Sequence, residues 1–322
     1  MCFMITYFLV GNQYNLCMKQ VIFILVFFVF TAWPSISQIN SSEERPPINP
    51  IAAPYFESID METVDSGNLR ILYALNAADI NKPDTYDDLQ CLEIGAHSSK
   101  YYSFFIYQRD SLASDWIKKH PNAKFGEHPS ARWAPKGKFQ GWSEYHYSEY
   151  FKDLSKKELT EYCRMPFRFT DYNSQYSEPL PVQNWKMGAD TLTVAGYLCQ
   201  QATCQFRGRE YTIWFATDIP INNGPWKFGG LPGLILKAYD RNKQYVFECV
   251  GIENRKEKYP IQMHQAFKQY KKTDRQKLWK AKKNIQENYL ELLRNGISGV
   301  SMGYGGSRAP TKTYLYNPLE LE

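Results

Sequence analysis

The chain has 322 residues, with 38 basic and 33 acidic side chains and a net charge of +5. So mild a balance argues against a nucleic-acid-binding protein, which gathers Lys and Arg on one face. The length suits one large domain or two small ones, and the 24 Tyr and 8 Trp are what strand packing in a β protein uses.

Met18-Lys19 precedes an apolar run over residues 21–30, and Ser35-Ile36-Ser37 follows. A charged start, a short apolar segment and a small-x-small site make a secretory signal cut near Ser37. The run is shorter than the roughly 20 residues a membrane span needs. Residues 1–17 carry no such logic and read as an upstream extension, with Met18 as the alternative start to Met1. Residues 38–55 are polar and Pro-rich, a linker. Residues 56–322 form a single domain. The chain is therefore expected to be exported, and periplasmic or associated with the outer envelope.

Leu69, Ile71, Tyr73 and Leu75 alternate with polar or small neighbours, as on a half-buried strand. Residues 89–94 and 101–107 read as an antiparallel pair. Residues 110–119 suit a short helix capped by Asp110 or Ser111. Residues 121–138 read as a loop and residues 139–147 as a strand. Residues 148–162 fit either a helix or a charged strand pair. Trp185 opens the next strand group, with a turn at Asp190-Thr191.

Residues 211–217 are β-branched and aromatic, a strand. Asn222-Asn223-Gly224-Pro225 turns the chain. Leu231-Pro232-Gly233-Leu234 fits a type II turn, with Gly233 at φ > 0; Gly230, Pro232 and Gly233 are its structural residues. Residues 234–239 and 245–252 are strands joined by a turn at residues 240–243. Gly230-Leu231-Pro232-Gly233-Leu234-Ile235 is the hexapeptide that names the GLPGLI family of secreted proteins from Gram-negative bacteria. The sequence resembles that family there, and also at Asp218-Ile219-Pro220-Ile221, Gly224-Pro225-Trp226-Lys227-Phe228, Gly196-Tyr197 and Phe206-Arg207-Gly208-Arg209. The early Leu92-Glu93-Ile94-Gly95 and the late Tyr316-Asn317-Pro318 are similar to it too. The resemblance runs from about residue 65 to the C-terminus. It carries over no catalytic residue.

Between Arg255 and Arg294 there are twelve Lys or Arg against four Asp or Glu. Thr273-Asp274-Arg275-Gln276 reads as a capping box. Leu278, Ala281, Ile285, Tyr289, Leu292 and Leu293 then recur at helical spacing until Gly296. This is an amphipathic helix with a basic outer face. The plain reading of that face is solvation; the sharper one is peripheral contact with anionic headgroups between Lys268 and Lys283. The fold expected is α+β and β-rich. A curved antiparallel sheet, sandwich or open barrel carries two or three helices, including this basic C-terminal amphipathic helix.

Five cysteines follow the signal. Cys199 and Cys204 would lie roughly 16 Å apart on one strand, too far to bond each other. In an oxidising compartment, Cys249 is the partner expected for one of them. No His, Cys or carboxylate spacing forms a metal motif, and no phosphate or dinucleotide loop marks a cofactor. The candidate binding lip is Arg207, Arg209, Trp214, Asp218, Trp226 and Lys227, since Trp and Arg are what interfaces favour. Two functions compete. One is a non-enzymatic envelope module binding a lipophilic ligand, a peptide or a partner protein. The other is a periplasmic hydrolase with an unrecognised carboxylate or histidine site around Asp218 or His128.

Overall fold

The computed structural model describes residues 49–56, 58–124, 127, 137–138, 141–296, 313 and 315–322. The signal segment, most of the linker, His128 and the glycine-rich stretch at residues 299–308 lie outside the described residues. Twelve strands form one sheet: β1 (Met61–Leu75), β2 (Asp88–Gly95), β3 (Ser98–Ser103), β4 (Ser148–Asp153), β5 (Glu158–Cys163), β6 (Ser174–Pro179), β7 (Lys186–Val194), β8 (Tyr197–Phe206), β9 (Arg209–Ala216), β10 (Leu234–Asp240), β11 (Val246–His264) and β12 (Lys271–Lys272). Three helices stand among the described residues: α1 (Phe104–Lys119), the single turn α2 (Glu144–Tyr147) and α3 (Arg275–Gly296). The expected β-rich antiparallel sheet with a C-terminal helix is the observed architecture. No helix among the described residues is long and apolar enough to cross a membrane.

The strand order is β12-β6-β5-β4-β3-β2-β1-β11-β10-β9-β8-β7. All neighbours are antiparallel except β12 and β6. Two meanders, β1 to β6 and β7 to β11, are therefore fused at the central β1–β11 pair. Flat, β4 and β10 would lie about 24 Å apart, five strand spacings. Yet Lys152 of β4 donates to Phe228 O at 2.6 Å, in the segment leading to β10. Tyr73 of β1 reaches Ile235 O of β10 at 2.8 Å. The sheet is thus strongly curled. Its concave side is filled by Ile71, Tyr73, Tyr150, Ile213, Phe215, Trp226, Phe228 and Phe247. A second apolar cluster lies under α3, where Leu278, Ile285, Tyr289 and Leu293 meet Trp142, Cys163, Met165 and Tyr176.

Several local expectations are corrected. Residues 148–162 are the strand pair β4–β5, whereas residues 144–147 are a helical turn capped by Ser143, not a strand. Helix α1 begins at Phe104, because Ser103 accepts from Ile106 N at 3.1 Å and so caps it; Asp110 instead pairs with Arg109 and Arg164. The cap of α3 is Asp274, which accepts from Lys277 N, one residue later than the predicted Thr273. The β7–β8 turn is Ala195-Gly196, both at positive φ, rather than Asp190-Thr191. Part of the predicted linker is docked: Trp142 N donates to Pro50 O, Phe167 N to Ile51 O and Arg109 to Ala53 O.

The Leu231-Pro232-Gly233-Leu234 corner is not a type II turn. Its left-handed residue is Gly230, at φ +83°. Gly233 is required for another reason: a Cβ there would sit 2.2 Å from Ala216 O. Gly196, at φ +84°, has nothing within 4 Å of an added Cβ. Gly233→Ala is therefore expected to cost about 3 kcal/mol, at the high end for overpacking, and Gly196→Ala only about 1 kcal/mol, from φ alone. Urea denaturation of the two variants checks the order.

Candidate functional site

In the connection between β9 and β10, residues 223–228 turn inward rather than over the surface. Asn223 is buried and fixes this path from the side chain: Oδ1 accepts from Gly224 N at 2.9 Å and from Lys152 Nζ at 2.8 Å. Its Nδ2 donates to Ser99 Oγ at 2.9 Å. Among the described residues Lys152 has only neutral acceptors, Asn223 Oδ1 and Phe228 O. Burial pushes its amine down to about 7, since a charged form without a carboxylate is poorly solvated there.

Trp226 adopts φ +53°, and this sends Lys227 into the interior at 2% exposure. Its Nζ meets Glu320 and the Tyr176 hydroxyl, with Glu161 and Glu178 each at 3.6 Å. The carboxylates are shared outward. Glu320 also takes Arg275 at 2.7 Å, and Glu178 takes Arg207 at 2.6 Å. Glu161 takes Lys282 and Ser148 Oγ, and Lys282 reaches Glu144 at 3.1 Å. Burial would raise the Glu161 carboxyl, but Lys282 and Lys227 outweigh it and hold it at about 2. The cavity beside this cluster is about 10 Å³, room for one water at most.

The six predicted lip residues do not form one surface. Trp214, Trp226 and Lys227 are buried and Asp218 is exposed. Arg207 joins Lys227 through Glu178. Arg209, 4% exposed, turns elsewhere: it binds Asp240, Gln244, Asn317 and Pro318 O, holding residues 315–322 against β9. The expected disulfide to Cys249 is absent. All five described cysteines are free and buried, and β9 and β10 stand between β8 and β11. Burial pushes the Cys199 thiol to about 11 and those of Cys204 and Cys249 to about 12. Sequence reasoning missed Lys282, assigned to a basic outer face. It sits four residues after Leu278 and three before Ile285, on the buried stripe, which is the signal that exposes it. Among the other lysines of that run, Lys268 pairs with Glu62, Lys277 with Asp274 and Lys283 with Glu287.

A surface groove of about 650 Å³ crosses β4, β5 and β6. Phe151 and Tyr162, half-buried and edge to face at 5.8 Å, contribute to its lining. The other lining groups are mostly polar, among them Gln175, Ser177 and Lys272. β12 covers β6 only at Ser174 and Gln175. Lys271 N donates to Asn173 O and Thr273 N to Gln175 O, so the odd-numbered residues of β6 point their backbone outward. The next such rung, at Ser177, has no strand beside it among the described residues. Nor is any group of three His, Cys, Asp or Glu among the described residues placed to hold a metal ion.

Residues 149–278 match a family profile described as N-glycanase peptide, N-terminal domain. No curated protein matches the chain. Two solved structures of PNGF-II, in space groups P21 and C2, are similar at TM-scores of 0.42 and 0.41 and identities of 12% and 13%. Each likeness covers 70% of this chain, which spans about a third (34%) of the length of theirs.

Two outcomes follow from the buried lysines. Lys227→Met leaves Glu320 and the Tyr176 hydroxyl without their shared donor and is expected to cost about 3–5 kcal/mol, read by urea denaturation. Lys152 binds a proton in the unfolded chain but not in the fold between about pH 7 and 10.5. Across that window the unfolded state holds more protons, so stability rises with pH. Measured against Lys152→Met, the wild type should gain on the order of a few kcal/mol from pH 7 to 10.5; parallel curves would contradict this.

Proposed function

We propose that this chain is an exported, non-enzymatic binding module of the bacterial envelope that takes an extended peptide along β6. The observation that carries the reading is the open rung at Ser177 beside an aromatic-lined groove. A peptide laid there would continue the two-residue β12 and pair its backbone with the Ser177 N–H and C=O, as in strand addition to a sheet edge. Pro179, without an N–H, ends the ladder and limits the site to a short segment. Tyr162, on β5 beside β6, is the aromatic ring nearer that edge and offers apolar contact for a peptide side chain, and the mixed charges of Asp153, Lys156, Glu158 and Lys272 favour no strongly charged ligand.

A lipophilic ligand has less support. Trp142, Trp226, Tyr211, Phe228 and Phe247 are all under 2% exposed and fill the interior. A hydrolase also has less support, because Glu144, Glu161, Glu178 and Glu320 are each tied to a cation. The match to a domain described as part of an N-glycanase makes glycosylated peptides the first to include in a screen.

The test is affinity selection from random peptides and glycopeptides on the immobilised protein. Peptides selected on wild type are expected to bind at least roughly tenfold more weakly to Tyr162→Ala and Ser177→Pro, with the fold intact by circular dichroism. No enrichment, or binding untouched by both substitutions, overturns the reading.

A further inference from the structure

A second concavity lies away from β6, where residues from the β1–β2 connection, α2, the β10–β11 turn, α3 and residues 315–317 converge. Its volume is about 290 Å³. That is the low end of what holds a small molecule, enough for one or two rings. We infer that this pocket binds a neutral polyhydroxylated ring, a saccharide, through amide side chains that the protein leaves wholly or half unpaired.

The carrying residue is Gln286. It is 6% exposed, lines the pocket, and its amide makes no hydrogen bond among the described residues. Both amide atoms open onto the pocket rather than being sealed in the packing, so a ligand there can take up their donor and acceptor capacity. Asn49, half-buried at the rim, is likewise without a side-chain partner among the described residues. Gln244 and Asn317 are held in a complementary way. Arg209 donates to Gln244 Oε1 and to Asn317 Oδ1, each at 2.7 Å. Their carbonyl oxygens are thereby fixed, and both NH₂ groups stay uncommitted. The pocket thus offers two complete amides and two further amide donors. Paired donors and acceptors of this kind suit adjacent hydroxyls, each of which both donates and accepts.

The remaining lining narrows the ligand. Asp87 lies 3.3 Å from Lys138, and Glu144 lies 3.1 Å from Lys282. Both carboxylates are balanced, so neither a cation nor an anion is favoured. The Tyr316 hydroxyl is committed to Glu144 and the Tyr245 hydroxyl to Asn317 O. These rings, with Trp142, present apolar surface to the pocket, which matches the C–H face of a pyranose. Arg209 is a positioning residue here, orienting two donors without touching the ligand.

The probes are glucose, mannose, galactose and N-acetylglucosamine, each at about ten millimolar to cover the weak affinity of a single ring. Saturation-transfer NMR on the full chain reads binding. At least one sugar is expected to receive saturation from wild type. Gln286→Leu, which keeps shape and removes the amide, should weaken it roughly tenfold, as loss of charge-free hydrogen bonds does. Asn49→Ala, whose side chain supports nothing else, should weaken it in the same direction at unchanged melting temperature. Tyr162→Ala in the β6 groove should leave it unchanged, which separates this site from the peptide groove. If no sugar receives saturation from wild type, or if transfer is as strong in Asn49→Ala and in any folded Gln286→Leu, the inference falls.

Discussion

The interior depends on one charge. Lys227 is buried, so its ammonium is stable only where carboxylates replace the solvation of bulk water. Those carboxylates come from two distant parts of the chain: Glu161 and Glu178 from the paired strands β5 and β6, and Glu320 from near the end. Bringing them to one atom requires the sheet to curl and residues 315–322 to lie across β9. Buried ion pairs add little net stability over well-packed apolar groups. What the cluster supplies is uniqueness, since any slip in register would strand a charge.

The same cluster explains why the proposed binding surfaces are peripheral. An interior closed by Trp226, Phe228 and the Lys227 network has no volume left for a guest. The open polar capacity of the molecule lies at the uncovered part of β6 and in the amide-lined pocket beside α3. Both use neutral hydrogen-bonding groups, in keeping with a modest net charge that gives no steering toward a strongly charged partner.

Much of the fold was legible in the sequence. Alternation at Leu69, Ile71, Tyr73 and Leu75 gave β1, and the β-branched and aromatic run from Tyr211 gave β9. The start of α1 was not, because Phe104, Phe105 and Tyr107 favour strands while the Ser103 cap decides for helix. Two hairpins were missed for a related reason. Ala195-Gly196 and Arg207-Gly208 make two-residue turns with positive φ at both positions, yet neither begins with the Asn or Asp that usually announces one. The site was the least legible. Trp226 and Lys227 have the composition of an interface, and nothing nearby reveals that Glu320, 93 residues on, will claim the lysine. Gln286 left a fainter signal: four residues after Lys282 on an amphipathic helix, it is a polar group on the side that packs.

The central β1–β11 pair joins Met61 to His264 and Leu75 to Phe247. A chain emerging N-terminus first can build the β1–β6 meander from neighbouring contacts. It then waits with β1 as a bare edge while residues 180–245 follow before β11 begins. Such non-local closure makes folding slow, and through that interval the edge is free to recruit any passing strand. The ordering of this molecule in time is therefore set by its middle seam, and protection of the nascent edge is the demand it places on the cell that makes it.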